Sequence, residues 1–369
     1  MSITLSWTRT RVLGFSTAVV LTTILAGCGS SSAPSGSKAS GNAAATIQTT
    51  HTVELGTGES VIEKKGTPLK VAFFVATESN LYTKAMVAEA QQVSQQTHVP
   101  VTVFDGNFDA TTQYDQLQNA LQSKQYNAWY VTPIDGQQQC KLLSKQAPAA
   151  GIVVATSNLA LCNRGTQPAA DVWQPGTLDY AGAEDTSTYA NAWVNYVSTQ
   201  LPGPHKIAVL YGPPLITLNA NVENALKALE KRRPDLQVVA SVNTDFSTAA
   251  GLSDTQTLLR SHPDIDTVLS VYADVTVGAV KAVQAAHAHV KIFDLGGSTE
   301  ELNDIRDGAI TASAAYTPRD TIRTSLDALI AAVRNGTPEP HYQSGLAVGT
   351  TDDPFEITKA NVNSFHAEY

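Results

Sequence analysis

From Leu69 to Asn335 the chain alternates short apolar runs with amphipathic stretches, and this rhythm constrains its fold more than any other feature. The runs "LKVAFFV" (Leu69–Val75), "VTVFD" (Val101–Asp105), "AWYVTP" (Ala128–Pro133) and "GIVVAT" (Gly151–Thr156) read as buried strands. Between them Leu81–Thr97, Tyr114–Lys124 and Asp135–Ala147 read as helices. The rhythm lapses around Val172–Gly182 and then resumes. Helices are expected at Tyr189–Gln200, Asn219–Arg232, Ala249–Ser261, Val275–Ala286 and Arg319–Asn335. The matching strands are Lys206–Gly212, Leu236–Ser241, Thr267–Ala273, Val290–Gly296 and Ala309–Tyr316. Strands alternating with helices of this length mean βαβ units and parallel sheets covered on both faces. Two such series, in a body of roughly 300 residues, exceed what one core normally holds. The expected class is therefore α/β, as two Rossmann-like lobes with a ligand crevice at the carboxyl ends of the strands.

The N-terminus speaks to compartment. Arg9 and Arg11 precede an apolar run, Val12–Leu25, which is as long as a secretory core and too short to span a bilayer. Leu25-Ala26-Gly27-Cys28 resembles the bacterial lipobox. That resemblance implies a signal peptide over residues 1–27, lipidation of Cys28 and an extracytoplasmic, membrane-anchored protein. Gly29–Thr50 is nearly all Ser, Gly, Ala and Thr, a composition that cannot bury enough apolar surface to order itself. A flexible tether over residues 28–66 is expected. With Cys28 lipidated, Cys140 and Cys162 remain as an even pair, which outside the cytoplasm usually oxidises. The loop it would close, about 22 residues, corresponds to roughly 3 kcal/mol in the chain-entropy model.

The net charge is −9 with 15% charged residues. Loss of the leader would remove two arginines and no acids, leaving the chain still more acidic. An acidic, sparsely charged surface excludes nucleic acid and suits a soluble domain that handles small molecules. Enzyme signatures are missing: there is no GxSxG elbow, no Walker loop and no cysteine spacing suited to zinc or haem. Gly56-x-Gly58 has no strand before it and is no nucleotide fingerprint. His287-Ala-His289 would point its rings apart on a helix, and it reads, like Lys231-Arg232-Arg233, as charge near a helix end. Asp135 and Asp274 read as N-caps, while Trp173 and Trp193 carry no assignment. No cofactor or metal is expected.

Several segments together resemble the type I periplasmic binding proteins of the ribose and galactose ABC-transporter group. "VAFFVATESNLYTKAMVAEAQQ" is similar to that family's first strand and helix, "VTPIDGQQ" to its strand–Pro–x–Asp–helix start, and "AGIVVATSN" to its "GIPVV-x-x-D" segment. In the second half "TDFSTAAGLSDTQTLLRSHPDIDTVLSVYADVTVGAVKAV" fits without a gap, and "ITKANVNSF" resembles the family's ending. The resemblance implies a periplasmic binding protein-like I fold whose lobes are joined by a three-stranded hinge, with crossings near Ala181–Asp185, Tyr316–Pro318 and Tyr342–Gly345. Lobe 1 would comprise 67–182 plus 317–343, and lobe 2 would comprise 183–316 plus 344–369.

Transferred position by position, the family's ligand contacts fall on Asn80, Tyr82 and Thr132, with Thr83 replacing a second aromatic. The Asp-Arg pair that grips sugar hydroxyls falls on Asn158 and Leu159. An Arg falls near Val222, where Asn219 and Asn221 are the nearest polar residues. Phe246 keeps an aromatic, Tyr272 replaces an Asn, Asp294 lies two residues from a lost Asp at Gly296, and Tyr316 replaces the hinge Gln. The implied pocket has aromatic walls, amide groups and few charges. Aromatic faces stack on sugars but also hold cations or aromatic rings. The expected function is a monomeric, lipid-anchored solute-binding protein that closes over a sugar or sugar-like molecule and delivers it to an ABC permease. The alternatives are a ligand-sensing partner of a membrane receptor kinase, or capture of a non-sugar aromatic or polar solute.

Overall fold

The computed structural model describes residues 45–337 and 341–369. The leader and Cys28 lie outside the described residues. The first sheet contains β3 (Val71–Val75), β4 (Val101–Asp105), β5 (Ala128–Val131), β6 (Val153–Ser157), β7 (Tyr180–Ala181) and β13 (Tyr342–Gln343), in the order β13-β7-β6-β5-β3-β4 and parallel throughout. Its crossovers are α1 (Leu81–Thr97), α2 (Ala110–Ser123), and α3 (Gly136–Lys141), which runs through a π-turn at Leu142–Gln146 into α4 (Ala147–Ala149). The second sheet contains β8 (His205–Tyr211), β9 (Leu236–Asn243), β10 (Thr267–Ser270), β11 (Lys291–Gly296), β12 (Ala312–Ala315) and β14 (Glu356–Thr358), in the order β14-β12-β11-β10-β8-β9. Only its edge strand β14 is antiparallel. Helices α5 (Ser187–Thr199), α6 (Thr217–Arg232), α7 (Thr248–Ser261), α8 (Ala273–Ala285) and α9 (Thr299–Asp307) belong to this second half, and α10 (Pro318–Asn335) returns to cover the first sheet. This is the two-lobed α/β architecture expected. The chain changes sheet after β7, after β12 and again after β13.

Burial explains the parallel sheets. All five residues of β3 are buried because helices cover both faces. Phe73 packs edge-on against Tyr130 on one face, with centroids 5.1 Å apart, while Phe74 meets Trp129 and Phe104 on the other, at 5.3 and 4.9 Å. Glu89, buried on α1, pairs with Arg319 and Arg323 of α10 and so fixes two helices of the first lobe together. Trp193 is fully buried on α5 and is a core residue.

Three elements differ from expectation. The tether drawn to residue 66 ends earlier, because β1 (His51–Glu54) and β2 (Ser60–Glu63) form an antiparallel hairpin. Val53, Leu55 and Val61 bury their side chains, and Gly56 and Gly58 supply positive φ in the connection. A Cβ on Gly56 would lie 2.6 Å from the ring of Trp173, which stacks on His341 at 3.8 Å. His51 reaches the carbonyl of Ala332 at 2.9 Å. The hairpin is thus part of the first lobe's body. Secondly, α2 starts before Tyr114 because Asp109 caps it, accepting from the Thr112 N–H at 2.6 Å. Thirdly, α9 was not expected. A capping box between Ser298 and Glu301 starts it and Gly308 ends it.

Asp135 caps α3 through the N–H groups of Gln137 and Gln138, as expected. Asp274 does not cap. It lies in the first turn of α8, where Tyr272 occupies the cap position. Lys231 and Arg232 end α6, while Arg233 pairs with Asp235. His287 and His289 follow α8, and no group of metal-binding side chains occurs among the described residues.

Candidate functional site

The carboxyl ends of strands from both sheets meet around a cavity of about 80 Å³. Asn80, Tyr82, Phe108, Thr132 and Asn158 reach it from the first lobe, and Phe246 and Tyr272 from the second. Tyr316, at the second crossing, and Asp185, on a 3₁₀ turn at the first, complete the wall. Among the described residues no lysine, arginine or histidine lines the cavity.

Each wall residue is placed by its element. Asn80 is the N-cap of α1, its Oδ1 accepting from the Thr83 N–H at 2.9 Å and the Thr83 hydroxyl at 2.8 Å. Thr132 directly follows β5 and accepts from the Ala76 N–H at 2.7 Å. Phe108, Asn158 and Phe246 all have positive φ, of 53°, 65° and 64°. Non-glycine residues there cost about 1–3 kcal/mol each and persist where surrounding structure enforces them. Gly212 accommodates one of them, since a Cβ would lie 2.3 Å from the Phe246 ring. Gly136 does the same for the loop after β6, where a Cβ would sit 2.3 Å from the Ala160 carbonyl oxygen. A disulfide between Cys140 and Cys162 fixes that loop to α3.

The aromatic rings meet across the cleft. Tyr82 lies 6.3 Å from Tyr272 and 6.0 Å from Tyr316 by ring centroids. Phe246 packs on Tyr272 at 4.3 Å and approaches Phe108 at 6.0 Å. Behind them runs one polar chain. The Tyr82 hydroxyl donates to Glu184 Oε1 at 2.8 Å, and Asn158 Nδ2 donates to the Tyr82 hydroxyl at 2.9 Å and to Asp185 Oδ2 at 3.0 Å. Thr321 adds a donor to Glu184. Burial pushes the Glu184 carboxyl up to about 7, partly opposed by the Tyr82 and Thr321 hydroxyls. Burial and then the neighbouring Glu184 charge raise Asp185, while Asn158 opposes the rise. No basic residue lies within ion-pair distance of either acid among the described residues. Burial also raises the Tyr82 hydroxyl, so it stays a neutral donor.

Seven of the ten expected binding residues therefore line one cavity: Asn80, Tyr82, Thr132, Asn158, Phe246, Tyr272 and Tyr316. Three do not. Asn219 ties the turn after β8, donating to the Gly212 and Pro213 carbonyls and accepting from the Gly212 N–H. Asn221 donates to the carbonyls of Gly165 and Asp185, at 2.9 and 3.0 Å. Asp294 is buried within the second lobe against Glu301. Burial raises the Asp294 carboxyl, and burial and then the Asp294 charge raise that of Glu301. Asp185 and Phe108 were not expected at the site. Asp185 lay within the expected hinge but showed no periodic or motif signal, and Phe108 sits in a loop.

The model of the periplasmic binding protein domain matches residues 71–337. The chain belongs to that family. Its members bind solutes rather than catalyse reactions, which accords with a cavity built of aromatic walls and hydrogen-bonding groups. The binding protein is 20% identical over 248 residues to the ribose import binding protein RbsB of Bacillus subtilis, covering 67% of this chain and 76% of that protein. RbsB of Salmonella typhimurium is 33% identical over 82 residues, covering 22% of this chain and 28% of that protein. Among solved structures, the Caulobacter myo-inositol binding protein bound to myo-inositol superposes with a TM-score of 0.68 at 21% identity, over 81% of this chain and 96% of that one. A solute binding protein from Actinobacillus succinogenes with bound D-allose gives 0.67 at 19%, over 80% and 100%. At these identities the structural matches speak for the fold.

Proposed function

We propose that the protein is the extracytoplasmic binding component of an ABC importer and closes over a sugar or sugar-like solute between its lobes. The observation that carries this reading is the cavity itself, walled by strand ends of both sheets. A solute that touches both lobes favours the closed arrangement by its differential affinity and shifts the population toward it. The names of the relatives, ribose import and inositol or allose binding, support a polyhydroxylated ligand. Such ligands present apolar ring faces to Tyr82, Tyr272 and Phe246 and hydroxyls to Asn80, Thr132 and Asp185.

Mass action gives the test. A ligand at about 100 times its Kd raises stability by about 2.7 kcal/mol. A thermal-shift screen over pentoses, hexoses and cyclic polyols should find solutes that raise Tm in a dose-dependent way. No shift from any of them would overturn the reading. We further propose that Cys28 anchors the mature protein to the membrane through lipid. In cells, Cys28→Ala should release the protein to the soluble fraction with its ligand affinity unchanged, and continued membrane retention would refute the anchor.

A further inference from the structure

We propose that the solute carries a protonated amine, and that Asp185 is the residue that selects it. The inference rests on the sugar-binding reading above and narrows it to amino sugars and similar cationic polyols.

Two independent observations converge on this class. The first is charge. Asp185 lines the cavity with one carboxylate oxygen held by Asn158, and Glu184 stands beside it in the chain. Among the described residues no Lys, Arg or His lines the cavity and none reaches either acid. Asp185 is half-buried at the cavity wall and Glu184 is buried behind it, and carboxylates drawn out of water are normally paired. A cationic ligand would supply here the partner that the protein does not, through charge-assisted hydrogen bonds. The second is the shape of the wall. Tyr82, Tyr272, Tyr316 and Phe246 line the space with aromatic rings whose centroids lie 4.3 to 6.3 Å from their neighbours. Such a box favours a cation within about 6 Å of the ring centres. Acidic sugars would meet the amide and hydroxyl groups of Asn80, Thr132 and Asn158 but no cation. Neutral sugars would offer Asp185 no charge-assisted partner.

The test is a matched series on the full mature protein by titration calorimetry. Glucosamine, galactosamine and mannosamine would be compared with their parent hexoses, their N-acetyl forms and the corresponding uronic acids. At least one amino hexose should bind about tenfold or more tightly than its parent, as a charged hydrogen bond in place of a neutral one implies. The N-acetyl form should lose that gain, and the uronic acid should bind least. In Asp185→Asn the amino hexose and its parent should converge to within about threefold. If parent hexoses bind as tightly as their amines, or the preference survives in Asp185→Asn, the amine proposal falls while the sugar-binding reading stands. If no sugar of any class binds, both fall.

Discussion

Asn158 stands in the left-handed region at a φ of 65°, where its amide bridges the Tyr82 hydroxyl and the Asp185 carboxylate, and the Tyr180 hydroxyl donates to its carbonyl at 2.9 Å. The residue therefore has two separable roles: it tolerates the backbone conformation and it aims Asp185. Replacement by Gly keeps the first and loses the second, whereas Ala loses both. Both variants should weaken ligand binding by about 1–3 kcal/mol, roughly a fivefold to 150-fold rise in Kd, because Asp185 loses its Asn158 donor. Asn158→Ala should be less stable than Asn158→Gly by a further ~1 kcal/mol. Calorimetric Kd values and urea midpoints for the pair measure the two effects; equal stabilities would remove the backbone role. Asn158 was legible from sequence because it occupies a family contact position. Asp185 was not. Its place at the site arises where a crossing segment passes the cleft, and nothing in the order Ala183-Glu184-Asp185 signals that geometry. Asn219 and Asn221 illustrate the opposite error. Asparagine beside a contact position is equally suited to satisfying backbone carbonyls, and here both do so.

At the level of elements, parallel strands and long helices were readable because burial on both faces leaves unbroken apolar runs such as "VAFFV". Short elements were not. The hairpin strands have four residues each and follow a Ser/Gly/Ala-rich stretch whose composition conceals them. Only the alternating burial of Val53, Leu55 and Val61 reveals them. Helix α9 did have a signal, the Ser298-x-x-Glu301 box. The disulfide is the element-scale device closest to function, because it clamps the loop that begins at Asn158 and Leu159 and ends at Cys162. Replacing both cysteines by serine should cost about 3 kcal/mol, from loop-closure entropy. The same double variant should weaken ligand binding severalfold, as the loop gains freedom that binding must then remove. Thermal melts and Kd values of the oxidised protein and the double variant check both expectations. A stability loss with unchanged affinity would confine the bridge to folding.

For the whole molecule, acids held above their ordinary range set the response to pH. Burial, and then the Asp353 charge, push Glu356 on β14 from 4.5 up to about 8. Its folded form holds a proton that the unfolded chain releases, so the stabilisation is complete below about 4.5 and is lost as pH rises through about 8. Stability should therefore fall between pH 5 and 8, and Glu356→Gln should flatten part of that fall, as read by urea midpoints across the range; an unchanged slope would exclude Glu356 as a contributor.

The cavity makes a second molecular argument. At about 80 Å³ it is smaller than the ~150 Å³ that admits a benzene ring, so a sugar enters only when the lobes part. Asn221 opposes that parting, since its amide on α6 of the second lobe donates to the Gly165 carbonyl in the first. Removing this clip leaves the Gly165 carbonyl to pair with water, which is available only in an open cleft. Asn221→Ala should shift the ligand-free protein toward open forms. A larger radius of gyration by small-angle scattering and faster ligand association would report this. Saturating ligand should restore the compact form, because contacts made by the solute to both lobes replace the missing bond. A variant that stayed as compact as the parent without ligand would show that the aromatic contacts between Tyr82 and Tyr272, rather than Asn221, hold the lobes together.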